Sequence, residues 1–391
     1  MTGYDVAPRH RSRSDLRAKT VCIDCRYIGR RYSGIAEVVR GVIGVVPALA
    51  PDLHFLLLRS TAHHGPLSSA TNVTERVVPH PANGPATMWW LPRVVDMTGI
   101  DLFHAPSNIM PAGLRVPCVT TIHDIMWLTN PDWCRTGPRG MVDRLFYSHG
   151  IRRAMRSAKA IITVSEASAQ AITTYDPSTA ARLHVALSGV STRFRPTTPD
   201  WSALAGLGLS SDRRFVLTTG QYAPYKNHEG AIAGFAHAFL DRPDIDLVIV
   251  QRAGRGSHRL QRLADELGIG QRLRLLTAVS ETLLLSLYSA ASVFLHPSLC
   301  EGFGNPVAEA MACGCPVVTS NVSAMPEVAG GAAYLVDPND PAAIAQGLQA
   351  VVDNPRVAER MHAAGLSRAS ELDWQKVGAT TLSVYRQLLS R

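Results

Sequence analysis

In HPSLCEGFGNPVAEAMACGCPVVTS, His296 to Ser320, two glutamates stand eight positions apart, Glu301 and Glu309, around a glycine-rich turn that ends in proline. The run SVFLHPS reads as a strand and LCEGFG as the loop after it. Asn305-Pro306 reads as a helix start, because asparagine caps helices well and proline suits the first helical position. This places Glu309 in the first turn of that helix. Gly302 and Gly304 permit positive φ and let backbone N–H groups approach a bound group, while a helix N-terminus attracts anions such as a diphosphate. A carboxylate beside a phosphate has a use if it faces hydroxyls instead, those of a ribose or a hexose. The plainer reading is that Glu309 complements the helix dipole and the glycines only make a turn. Taken alone, the segment leaves both readings open.

Such residues act together only if a framework positions them. Short β-branched runs alternate with longer helical patterns: TVCID, HFLLL, DLFHA, CVTTIHD, AIITVS and LHVAL in the first half, then RFVLTTG, DLVIVQ, LRLL, SVFLHPS, PVVTS and AYLVD. Continuous apolar strands with helices between them argue for parallel sheets covered on both faces. The fold class is therefore α/β, with doubly wound domains predicted at 20–195 and 213–370. A proline-, serine- and glycine-containing linker at 196–212 joins them. A chain of 391 residues has the length for two cores. Ligands of open parallel sheets bind beyond the carboxyl ends of the strands, so two facing sheets would enclose a cleft lined by those loops.

The composition, 46% apolar and 18% charged, fits a soluble globular protein. The longest apolar runs, such as VIGVVPALA, fall short of the roughly 18 residues of a spanning helix. Residues 1–19 are basic, lack the apolar core of a secretory signal and read as a flexible arm. Seven cysteines without framework spacing favour free thiols and a reducing cytoplasm, and Cys22-Ile-Asp-Cys25 has no second pair to complete a zinc site. Charge is uneven: residues 1–195 hold 23 Lys+Arg against 13 Asp+Glu, and 196–391 hold 16 against 18, giving +10 and −2. The first half therefore attracts anions, an anionic membrane or an acidic acceptor among them, and a merely soluble basic face is the alternative. Nucleic acid is not expected, since neither a zinc-finger pattern nor an RNP run is present.

The stretch PSLCEGFGNPVAEAMACGCPVVTSNVSAMPEVAGGAAYLVDP resembles the signature region of glycosyltransferase family 4, with E-x7-E between a PS dipeptide and an EAMACG helix. The closing LDWQKVGATTLSVYRQLL resembles the family's tryptophan-containing last helix, read here at 371–391 and expected to cross back to the N-terminal domain. VCIDCRYIGRRYSGIAEVVRGV, DLFHAPSNIMP, VTTIHDIMWLTNP and AIITVSEASAQAI are similar to its earlier landmarks, so the resemblance spans nearly the whole chain after the arm. It implies the GT-B fold, two Rossmann-like domains facing a central cleft, and transfer of a hexose-type sugar from a GDP- or UDP-sugar donor with retention.

By the same resemblance, Glu301 contacts the donor sugar hydroxyls and Glu309 the ribose, while backbone N–H groups of Gly302, Phe303, Gly304 and Asn305 steady sugar and diphosphate. Gly34 matches a glycine loop that approaches the donor from the other domain, and His123 a histidine near the reacting sugar. Lys226, beside the cap Asn227, matches a cation aimed at the departing diphosphate, where a fixed positive charge lowers the barrier. An arginine that commonly accompanies this lysine is absent; its places hold Gln221 and Tyr225. Gln251 replaces a glycine after the strand DLVIV, and Arg252 or Arg255 could supply the missing charge. Asp244-Ile-Asp246 spells a metal-binding DxD but precedes its strand and reads as structural, so no metal or other cofactor is expected.

The mechanism so implied is front-face attack by an acceptor hydroxyl in a closed cleft, the departing phosphate oxygen taking its proton. A phosphorylase, a nucleotide-sugar epimerase and a noncatalytic sugar-nucleotide-binding protein are the competing readings. An acceptor glycan, a lipid-linked sugar and a small aglycone are all compatible with the sequence. Trp89-Trp90 in MWWLPRVV would ordinarily pack in the core, with stacking on a sugar or dipping into a membrane interface as the functional uses.

Overall fold

The computed structural model describes residues 17–29, 33–134, 137–251, 256–277 and 279–390. Arg252, Arg255 and the arm up to residue 16 lie outside the described residues. Strands β1 (Thr20–Asp24), β2 (His54–Ser60), β3 (Val73–Val78), β4 (Leu102–Ala105), β5 (Cys118–Ile122), β6 (Ala160–Thr163) and β7 (Leu183–Val185) form one sheet. Its order is β3-β2-β1-β4-β5-β6-β7. Strands β8 (Arg214–Thr219), β9 (Ile245–Val250), β10 (Leu273–Leu276), β11 (Val293–His296), β12 (Val317–Ser320) and β13 (Tyr334–Val336) form the second, ordered β10-β9-β8-β11-β12-β13. The strand pairs in both sheets are parallel.

Interior strands are buried almost throughout: Val21, Ile23, Leu102, Val119, Val216, Leu217 and Phe294 have no exposed surface. Such strands need apolar side chains on both faces, which makes them readable as continuous runs. The sequence reading misses β3. This is the edge strand VTERVV, and its exposed Thr74 and Val77 break the apolar run.

The strand order reverses between β1 and β4 in one sheet and between β8 and β11 in the other. These are the switch points where a parallel sheet opens a crevice. Lys226 follows β8, Glu301 follows β11, Gly34 follows β1 and His123 follows β5. The segment 196–212 includes a short helix, Trp201–Ala205, and buries Leu204 and Leu209.

The last helix, Trp374–Leu389, packs along the helix Gly34–Leu49 of the first domain. Its fully buried Tyr385 places its hydroxyl 2.6 Å from His104 Nδ1, and His104 Nε2 lies 2.9 Å from Thr121 Oγ1. The Trp374 ring occupies the space that side chains at Gly41 and Gly189 would need. Asp244 pairs with Arg214 and Arg242, and Asp246 with Arg213, at the start of β9. All seven cysteines are free. Core packing of Trp89 and Trp90 is overturned: both lie on the surface helix Pro85–Val94, 44% and 48% exposed.

Candidate active site

Lys226 ends a 3-10 turn, Pro224–Lys226, and Asn227 follows in the left-handed region at φ 54°. The Asn227 side chain accepts from Gly230 N–H, capping the helix His228–Phe239, and donates to the carbonyls of Pro297 and Pro338. One side chain thus ties the loop after β8 to the loop after β11. Lys226 Nζ then reaches Glu301 Oε1 at 2.6 Å.

Glu301 Oε1 also lies 3.0 Å from His296 Nε2 and accepts from Ser298 Oγ at 2.9 Å. Its backbone is held as well, since its N–H donates to Ser323 Oγ and the Ser323 hydroxyl donates back to its carbonyl. Burial opposes ionisation of Glu301, but Lys226 and then His296 outweigh it and hold its pKa down at about 2. Burial likewise opposes the charge on Lys226; Glu301 prevails and its pKa lies above the ordinary lysine value. The pair is an ionised salt bridge with both side chains about nine-tenths covered.

The next helix, Asn305–Ala312, differs in detail from the sequence reading. Gly304, at φ 104°, is the cap residue, Asn305 is the first helical residue and Pro306 the second. The turn needs a left-handed residue, which glycine adopts without strain. Glu309 consequently falls in the second turn, buried, accepting a 3.0 Å bond from Tyr288 Oη. Among the described residues, no protein acceptor uses the N–H groups of Gly302, Phe303, Gly304 or Asn305. The Asn305 N–H opens the positive end of the helix, and those of Gly302, Phe303 and Gly304 line the loop that leads into it. The Phe303 side chain turns away into the core, 5% exposed.

From the facing domain, His123 is buried with its Nε2 3.1 Å from the Pro106 carbonyl. A carbonyl only accepts, so Nε2 carries the proton and Nδ1 the lone pair. Burial holds the ring neutral, with its pKa pushed down to about 4. Next to it, Asp124 is pushed above the usual carboxylate value by burial, with Glu301 adding to the rise and Lys226 opposing it.

The two domains meet at this point. A Cβ on Gly302 would collide with the His123 carbonyl oxygen, so only glycine permits the contact. The Gly302 carbonyl accepts from Ser165 Oγ at 2.6 Å and Ser168 Oγ at 3.1 Å, and Ser168 Oγ also lies 3.0 Å from the His123 carbonyl. A Cβ on Gly34 would lie 2.8 Å from Asn305 Nδ2. Glu327 of the second domain accepts from the N–H groups of Glu166 and Ala167, at the start of the first domain's helix Glu166–Tyr175.

Lys226 and Glu301 are therefore in direct contact, His123 touches the Gly302 loop, and Gly34 touches Asn305. Glu309 and Asn305 line one small recess with Glu37 and Ser191. Gln221 stands apart, exposed, with Nε2 3.4 Å from Tyr225 Oη. Arg252, the other cation read toward the phosphates, falls outside the described residues. Sequence reasoning missed His296, Ser298, Ser323 and Tyr288, which hold the two glutamates, and Ser165, Ser168 and Glu327, which join the domains. Of these, only Tyr288 lies outside the motifs quoted above; the others stand within them, Ser165 and Ser168 in the first half of the chain and the rest in the second.

Residues 38–194 match the model for Glycosyltransferase Family 4, and residues 201–368 that for Glycosyl transferases group 1. O-antigen chain mannosyltransferase B of Escherichia coli is 30% identical over 290 residues, 73% of this chain and 74% of that protein. MMP alpha-(1->4)-mannosyltransferase of Mycolicibacterium hassiacum is 32% identical over 61% of this chain and 57% of its own length. Among solved structures, sucrose-phosphate synthase of Thermosynechococcus elongatus superimposes with a TM-score of 0.71 at 21% identity, covering 95% of this chain and 99% of that one. Anabaena HepE in complex with UDP and glucose gives 0.68 at 17% identity, over 94% and 100%. With both halves matched in order and the two-sheet fold shared, the chain belongs to glycosyltransferase family 4 and is a glycosyltransferase of the GT-B fold.

Proposed function

We propose that the protein transfers a hexose from a GDP- or UDP-sugar to an acceptor hydroxyl with retention at the anomeric carbon, using Lys226, Glu301 and His123 as its catalytic groups. The observation that carries this reading is the buried Lys226–Glu301 pair beside the open N–H groups of 302–305, facing His123 across the domain contact. The diphosphate lies against those N–H groups and Lys226, the donor sugar against Glu301, and the ribose hydroxyls against Glu309. Gly34 closes over the donor from the first domain. Two relatives are mannosyltransferases and HepE was solved with UDP and glucose, which supports a hexosyl donor.

In the reaction the acceptor oxygen bonds to the anomeric carbon as the bond to the diphosphate oxygen breaks, and that oxygen takes the acceptor proton. Lys226 meets the growing negative charge, a contribution of about 3–4 kcal/mol for a single preorganised donor. Neutral His123 presents Nδ1 as an acceptor and Nε2–H to Pro106, so it orients the sugar without changing charge. Charge on the leaving group is met by Lys226 and the helix end, so turnover is expected to persist in EDTA. The acceptor is a glycan, a lipid-linked sugar or a small aglycone. The +10 charge of residues 1–195 supports peripheral contact of the first domain with an anionic membrane.

Thermal-shift measurement with GDP- and UDP-sugars should show stabilisation by one nucleotide class, about 3 kcal/mol at a hundredfold excess over Kd. Lys226→Ala should lower kcat by roughly 10² to 10³, and the product anomer read by NMR should match the donor's. Binding without turnover over a broad acceptor panel would instead leave a sugar-nucleotide-binding protein.

A further inference from the structure

We propose that the exposed face made by the helices Gly137–Ser157 and Pro85–Val94 docks on an anionic lipid bilayer, both helices lying along the headgroup layer. This deepens the membrane contact of the proposed function by assigning its surface. Met141, Val142 and Leu145 are 70%, 66% and 74% exposed, more than a folded domain ordinarily shows for large apolar side chains in one helix turn. Met141, Leu145, Arg152 and Arg156 fall at i, i+4, i+11 and i+15, a single stripe along the helix. The stripe is therefore apolar at its N-terminal end and basic at its C-terminal end, where Arg144, His149, Arg152 and Arg156 share a shallow hollow with Leu145.

The apolar surface extends onto the second helix. Trp89 packs edge-on to Phe146 at 6.3 Å, and its ring lies 6.2 Å from that of His149. Trp90 adjoins it at 6.4 Å, with Val94 49% exposed beyond. Half-exposed tryptophans with an apolar body and a polar N–H suit the headgroup boundary.

Charge selects the occupant. The longer helix holds Arg139, Arg144, Arg152, Arg153 and Arg156 against Asp143 alone, and its domain is the one that bears the positive excess. Arginine stems cover apolar surface while their guanidinium groups reach lipid phosphates. A second copy of the chain would have to set these arginines against one another. The same helix is fixed to the site loop, since Tyr147 stacks on Trp127 at 5.0 Å and Ser148 Oγ donates to the Trp127 carbonyl, four residues after His123. Docking there places the acceptor side of the cleft beside the bilayer.

The test is sedimentation of the full chain with phosphatidylcholine vesicles, with or without 30% phosphatidylglycerol, alongside Arg152→Gln/Arg156→Gln and Met141→Ser/Leu145→Ser. Binding should require the anionic lipid and weaken with salt. At about fivefold per basic residue near such a surface, the double arginine variant should bind roughly 25-fold more weakly. The serine variant should lose binding several-fold and the blue shift of tryptophan emission on vesicle addition. All four positions are exposed, so melting temperatures should stay at the wild-type value and exclude misfolding as the cause. Equal sedimentation with both vesicle types, or variants that bind as wild type, would overturn the proposal. So would a self-associated wild type that the serine variant converts to monomer, since the face would then belong to a second copy. Vesicle binding reads no turnover, so its failure would leave the transferase reading standing, and thermal shifts with nucleotide sugars test that reading separately.

Discussion

Glu301 Oε1 engages Lys226, His296 and Ser298, and among the described residues no bond uses Oε2. One carboxylate oxygen thus anchors the side chain and the other remains for a ligand hydroxyl. Glu309 is oriented differently, by the buried hydroxyl of Tyr288, which also lies 3.4 Å from Thr219 Oγ1. A hydrogen bond to a charged group contributes about 1.5–3 kcal/mol. If Glu309 holds the ribose, Tyr288→Phe should raise the KM for donor by roughly tenfold or more while kcat changes little, because the ribose is remote from the breaking bond. An equal fall in kcat with unchanged KM would move Glu309 out of the ribose site. At Glu301 the pKa of about 2 fixes the sign of its pH effect: the stability it confers is present above its unfolded value of 4.5 and is lost as pH falls toward 2. No acidic limb of activity near neutrality should come from this residue, so the residual kcat/KM of Glu301→Gln should keep the wild-type profile shape between about pH 5 and 8.

Elements set how these groups meet. The loop carrying Gly302 presses its backbone on the His123 carbonyl, and Ser165, Ser168 and Glu327 fasten the two domains around that contact. Gly302→Ala should therefore hold the domains apart. Turnover is expected to fall by at least a hundredfold, since a displacement of about 1 Å can cost that much, while much of the nucleotide-induced thermal shift persists because Lys226, the N–H groups of 303–305 and Glu309 all belong to the second domain. Glu327→Gln should act more mildly, because an amide oxygen still accepts from the Glu166 N–H. The strand content was legible because buried parallel strands must be apolar on both faces, and the donor loop because its glycines and carboxylates lie within a few residues of each other. Ser165 and Glu327 were not legible. Each makes its contact some 140 to 160 positions away, Ser165 to Gly302 and Glu327 to Glu166, and a serine or glutamate at a helix end signals only a local cap. The same holds for β3, whose edge position removes the apolar run by which the others were read.

Across the whole molecule, buried neutral histidines tie the fold to pH. His104 joins the last helix to the first sheet, His123 lies at the domain contact, and His228 begins a helix of the second domain. Burial pushes their pKa values down from 6.5 to about 3, 4 and 4. The unfolded chain takes up protons at these positions below pH 6.5 and the folded chain does not, so folding stability falls as pH drops through that window. Over this window each unfolded ring goes from mostly neutral to mostly charged, which is worth about 1.4 kcal/mol per ring in all, so three cost about 4 kcal/mol between pH 7.5 and 5.5. That is a large part of the 5–15 kcal/mol typical of a folded protein. Carboxylates held low, such as Glu301, contribute in this range only weakly, because their losses begin nearer their own unfolded values. The melting temperature should therefore fall by roughly 5 °C from pH 7.5 to 5.5, and more gently in His104→Gln/His228→Gln, whichever of the two starts the more stable at neutral pH. A melting temperature flat across the window in the wild type would mean that these rings take up protons in the folded state, and the neutral His123 on which the proposed sugar contact depends would be lost with it.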